Sequence, residues 1–149
     1  MGEVREVPVI HIQQGSFKAT FVVDIPNNGI KNVMPPFNAI AFTQMDYAPN
    51  YEDYIFLLDK QTGEQFHPPN GAHFLPASVI AVKIPNERVL DPEGMKLHHG
   101  GWPDWLSEYK QRSEHEAVII PVHKIGYKLI KPRNVREPTK RTGNVKMKS

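Results

Sequence analysis

Residues 7–26 read VPVIHIQQGSFKATFVVDIP, and they set the class of fold. Two runs of apolar, largely β-branched residues, Val7–Ile12 and Phe17–Ile25, flank the turn-forming QQGS. β-Branched side chains suit a pleated strand better than a helix, and a short glycine-containing break between two such runs marks a hairpin. The chain therefore opens as antiparallel sheet.

The same signals continue downstream. NNGIKNVMPP (27–36) reads as a loop, because glycine and proline crowd out regular structure. FNAIAFTQM predicts a third strand over 38–44, and the QTG turn inside YIFLLDKQTGEQFH predicts a second hairpin, 54–60 with 64–67. SVIAVKIP predicts a strand over 78–84, and AVIIPVHKIGYKLI supplies one or two final strands with Gly126 as a bend. Helix is scarce. PDWLSEYKQRSE (103–114) is the best candidate, with Pro103 and Asp104 in its first turn, while Arg88–Leu90 forms a helical turn that DPEG stops. The fold class is α+β: one sheet-dominated domain over 1–131 with few short helices, followed by a flexible basic tail, 132–149.

Composition narrows the chemistry. A chain of 149 residues with 23% charged residues is of ordinary single-domain size and can bury a core. With no cysteine it has neither disulfides nor thiolate chemistry. No apolar run approaches the roughly 20 residues of a membrane-crossing helix, and MGEVREVPV lacks signal-peptide features, so a cytoplasmic protein with no membrane partner is expected. Net charge is +2, unevenly spread: seven of the 18 lysines and arginines but only one acid, Glu137, lie in 131–149. The remaining body holds 11 basic and 15 acidic groups.

The stretch SEHEAVIIP (113–121) sets two glutamates one residue apart ahead of an apolar run. In a strand beginning near Ser113, Glu114 and Glu116 share one face and His115 takes the other. Paired carboxylates suit acid, base or hydrogen-bonding work, although a solvated polar lead-in to a strand explains them equally.

SEHEAVIIP resembles the E-x-E element of ADP-ribosyltransferases. The resemblance implies NAD as substrate, with Glu116 holding the nicotinamide ribose and Glu114 positioning the acceptor. NAIAFTQM is similar to that superfamily's aromatic and hydroxyl strand, which implies that Phe42 and Thr43 lie near the cofactor. VIHI resembles the histidine-bearing first strand of one branch, which makes His11 a candidate for the adenosine-side ribose, with Arg5 the alternative of the arginine branch. A carboxylate beside the oxocarbenium-like centre left by nicotinamide is chemically reasonable.

Other constellations compete. Of seven histidines, His98 and His99 are adjacent, His67 and His73 flank PPNG, and His115 and His123 bracket the last apolar run. None has zinc-site spacing, so no metal is expected and loop histidines are the simpler reading. PNGAHFLP (69–76) lacks the features of a phosphate loop and reads as a turn. Tyr47, Tyr51, Tyr54 and Phe56 form an aromatic cluster suited either to stacking or to core packing. Lys131, Arg133, Arg136, Lys140, Arg141, Lys146 and Lys148 would bind a polyanion with steep salt dependence. That segment has no aromatic residue, so its contacts with nucleic acid should be poorly sequence-specific. Two functions are therefore expected in competition. One is an NAD-using ADP-ribosyltransferase-like domain; the other is a noncatalytic interaction module, of the kind carried by viruses or mobile elements, that binds nucleic acid or an acidic protein surface.

Overall fold

The computed structural model describes residues 5–99, 109–126 and 128–130. The sheet-dominated α+β class expected from the sequence is what it shows. Strands β1 (Val9–Gln14) and β2 (Phe17–Asp24) form the opening hairpin, with Ile10 opposite Phe21 and His11 opposite Thr20. Gly15 lies at φ +60 between them, a left-handed conformation that glycine adopts without steric cost.

The stretch expected to be a loop at 27–36 instead contributes β3 (Gly29–Asn32), antiparallel to β2. A 3-10 turn at Ile25–Asn27 and Asn28 in the left-handed region reverse the chain. Gly29 has no room for a side chain, since a Cβ there would lie 2.4 Å from the Ile40 carbonyl oxygen. The expected strand over 38–44 shortens to β4 (Ala39–Ala41), because the chain turns through a 3-10 turn at Phe42–Gln44 that swings Phe42 into the core.

β5 (Asp46–Tyr47), β6 (Asp53–Asp59) and β8 (Val79–Pro85) form a second sheet, joined by β10 (Val118–Ile120). Of the expected second hairpin only one bridge forms, Leu58 with Gln65. β9 (Glu114–Glu116) runs parallel to β1 and completes the first sheet, in the order β4-β3-β2-β1-β9. β7 (Phe74–Pro76) and β11 (Lys128–Ile130) pair separately. Segments 39–47 and 114–120 each pass from one sheet to the other, so the sheets form a flattened barrel of seven passages with one parallel pair, β1 with β9. Direction cannot alternate all the way round an odd-numbered ring, and that pair is where the alternation breaks.

Side-chain alternation explains the two sequence styles. On β1 and β2, Ile10, Ile12, Phe21 and Val23 fill the interior while His11 and Thr20 face outward. On β6 and β8 both faces are buried: Tyr54, Phe56, Leu58, Ile80, Val82 and Ile84 point into the barrel. Leu57, Val79 and Ala81 form a second cluster on the other face with Leu75 and Val122. A strand covered on both sides reads as an unbroken apolar run, as YIFLL and VIAV do.

DPEG does stop the helical turn, and it also starts a helix the sequence did not announce. α1 (Glu87–Leu90) ends at Asp91, whose backbone N–H donates to the Glu87 carbonyl; Asp91 Oδ1 then accepts from the Gly94 backbone N–H at 3.0 Å, and Pro92 opens α2 (Pro92–His99). Of the helix expected at 103–114, residues 103–108 lie outside the described residues, 109–113 are not helical and Glu114 belongs to β9. The basic segment 132–149 also lies outside the described residues. No helix among the described residues is long and apolar enough to cross a membrane.

Candidate binding cleft

A cleft of about 550 Å³ lies along the edge of β6. That edge pairs with β5 at Tyr54 and Ile55 and with Gln65 at Leu58, and the gap between these short partners leaves the hollow. Gln65 ties the two together, its Nε2 donating to the Gln44 carbonyl at 2.7 Å. Tyr47, Tyr51 and Phe66 supply aromatic wall, Asp46 and His67 supply polar groups, and Lys124 comes from the 3-10 turn at Val122–Ile125.

APNYED (48–53) fixes the most exposed ring. Asn50 Oδ1 accepts from the backbone N–H groups of Glu52 at 2.8 Å and Asp53 at 3.1 Å, an Asx-type turn. The Ala48 carbonyl accepts from Tyr51 N–H at 2.8 Å, and Ala48 N–H donates to the Asp53 carbonyl at 2.8 Å. Together they hold Tyr51 at φ +58, a conformation rare for a bulky residue, with the residue 79% exposed. Tyr47, 62% exposed, lies 6.4 Å from it between ring centroids. Both rings also border a smaller hollow of about 290 Å³ lined by Glu52, Asn86 and Arg88.

The expected aromatic cluster thus divides by exposure, while Tyr47 keeps a tilted contact with Tyr54 at 5.6 Å between ring centroids. Tyr54 and Phe56 are buried; Tyr54 stacks on Phe42 at 5.2 Å and donates its hydroxyl to Glu87 Oε1 at 2.6 Å. Burial, reinforced by the hydrogen bond to Glu87 and that carboxylate's charge, holds the Tyr54 phenol far above its usual range. Tyr47 and Tyr51 remain available to a ligand.

The five residues assigned by resemblance divide as well. His11, Glu114 and Glu116 share the outer face of the first sheet, where His11 stands opposite Glu116 in register. His11 Nδ1 is 3.1 Å from Thr20 Oγ1, and its Nε2 is 3.1 Å from Glu114 Oε1. Both glutamates are exposed. Phe42 is a core residue, and Thr43 is exposed on the turn after β4, at the opposite edge of that sheet from β9. Four strand spacings separate those edges, about 19 Å along the sheet. None of the five lines the 550 Å³ cleft. Among the described residues no three histidine or acidic groups are arranged to hold a metal ion.

Sequence reasoning missed a buried polar knot. Asp91 is fully buried, with Oδ1 3.2 Å from Arg5 Nη1 and 2.9 Å from Gln111 Nε2. Gln111 Oε1 in turn accepts from Glu93 N–H at 2.9 Å. Beside it His115, also buried, donates Nε2–H to the Leu90 carbonyl at 2.9 Å. Burial is the main cause that pulls the His115 pKa below its ordinary value; the Leu90 carbonyl opposes it, the nearby Arg112 adds to the lowering, and Asp91 opposes it least. Only the N-cap geometry of DPEG carried a signal of this knot.

No protein-family model matches the chain, and no curated protein or solved structure proved similar to it.

Proposed function

We propose that the chain is a noncatalytic interaction module that binds single-stranded nucleic acid, with bases stacking on Tyr47 and Tyr51 and cations holding the phosphates. The observation that carries this reading is Tyr51, whose ring is kept in solvent beside the cleft by a left-handed backbone. Conformational strain persists only where surrounding bonds enforce it, and it concentrates at binding and catalytic sites. Every base offers a π-face, so exposed rings bind single strands with little sequence preference.

Lys124 contributes to the cleft, and the chain continues through β11 into the segment holding seven cations. Because residues 1–130 are net acidic, the attraction for phosphate must come chiefly from that segment. The aromatic residues that the tail lacks are supplied by the body. Fluorescence anisotropy with a labelled single-stranded oligonucleotide tests the reading. Saturable binding that weakens with salt and with removal of the two rings supports it; the same affinity for the Tyr47→Ala/Tyr51→Ala variant sinks it.

The ADP-ribosyltransferase reading has narrower support, namely the contact of His11 with Glu114 on one open face. Incubation with labelled NAD, comparing Glu116→Ala with the unaltered chain, tests it directly.

A further inference from the structure

We propose that the barrel mouth at the β1–β2 hairpin end is a second binding site, for a linear amphipathic monocarboxylate. The end of β1, the residue after β6, the start of β8 and the end of β10 surround a hollow of about 400 Å³ there. Its wall is aliphatic, built from Val79, Ile80, Ile119, Ile120 and Val122. Val79 and Ile80 belong to different core clusters, so the hollow opens onto the seam between the two apolar layers. Barrel mouths are a common place for small-ligand sites.

Among the described residues Lys60 is the one charged group lining the hollow, with Gln14 beside it. The Lys60 backbone N–H donates to the Ser78 carbonyl at 2.8 Å, which anchors the Lys60 backbone beside the start of β8. Its Nζ donates to Gln14 Oε1 at 2.7 Å, so the ammonium is held over the hollow and the Gln14 Nε2 protons are left to donate outward. An ammonium and an amide at the rim of an aliphatic cavity match a carboxylate head with an alkyl chain. The head takes charge-assisted hydrogen bonds from Lys60, and the chain replaces water against the five apolar side chains. An alkylammonium of the same length would bring its charge against that of Lys60.

Calorimetric titration of the full chain with butanoate, hexanoate, octanoate and octylammonium tests this. Single-site affinity should climb about four-fold for each added methylene until the hollow is filled, and octylammonium should bind at least about ten-fold more weakly than octanoate. Lys60→Gln should weaken octanoate about ten-fold and Lys60→Arg should retain it. Ala77→Trp, at an exposed lining position, should block the opening while leaving thermal unfolding unchanged. Affinity that is flat with chain length would mean only charge pairing with the basic segment, and it would overturn the proposal. So would octanoate binding that is indifferent to Lys60→Gln, or equal binding of the ammonium. Tyr47→Ala/Tyr51→Ala should bind octanoate normally, which keeps this site's fate separate from that of the aromatic cleft.

Discussion

Asp91 receives the guanidinium of Arg5 from 86 positions earlier in the chain, and its carboxylate is closed to solvent. Its Oδ1, which Arg5 Nη1 contacts, also accepts the backbone N–H of Gly94, the third residue of α2, and the side-chain amide of Gln111. One acid thereby fastens the amino-terminal segment, the helix start and the lead-in to β9. Removing one partner of a buried pair strands the other, at a cost of about 3–5 kcal/mol. Asp91→Ala, which also loses a helix cap, should fall in that range in urea unfolding. Arg5 is partly exposed, so Arg5→Ala should cost less.

Gly94→Ala sets two effects against each other. Alanine is favoured over glycine in helix by about 1 kcal/mol, but a Cβ at Gly94 would lie 2.2 Å from Asp91 Oδ2 and 2.6 Å from Arg5 Nη2. Overpacking costs about 1–3 kcal/mol, and here it also pries apart the ion pair. The substitution should lower the melting temperature, against the propensity scale.

His115 makes stability depend on pH. Its folded pKa lies below the ordinary value of about 6.5. Between the two values the unfolded chain binds the proton and the folded chain does not. Stability from this group is therefore complete above about pH 7.5 and is lost as the pH falls through 6.5 toward the folded value. Urea midpoints between pH 5 and 8 should show this slope in the unaltered chain, and His115→Gln should flatten it.

Tyr51 should show a conflict between stability and binding. Tyr51→Gly relieves the left-handed strain, worth about 1 kcal/mol or more, and removes a ring with little packing to lose. The variant should melt higher yet bind the oligonucleotide more weakly, since base stacking on an aromatic is worth about 1–3 kcal/mol. Raised salt should weaken binding further in both proteins.

Phe42 and Thr43 separate core from surface. Phe42→Ala should destabilise by about 3–5 kcal/mol through a cavity under Tyr54. Thr43→Ala, on the exposed turn, should stay within about 0.5 kcal/mol. A nicotinamide-binding role for Thr43 would appear as lost NAD turnover with unchanged unfolding.

Local features were legible in the residues themselves: the first hairpin, the strands expected at 54–60 and 78–84, the shared face of Glu114 and Glu116, and the cationic end. These follow from turn chemistry, β-branching and the two-residue period, which act between near neighbours. Relationships across the barrel came from packing instead. IKN became a strand because an edge of β2 was open to it, and Phe42 left its strand because the core needed a ring against Tyr54. Asp91 became a fastening for Arg5, and Tyr47 and Tyr51 stayed exposed at a gap in the sheet while Tyr54 and Phe56 were buried. Such outcomes depend on which surfaces meet after the chain closes on itself, and no spacing along the sequence encodes that meeting.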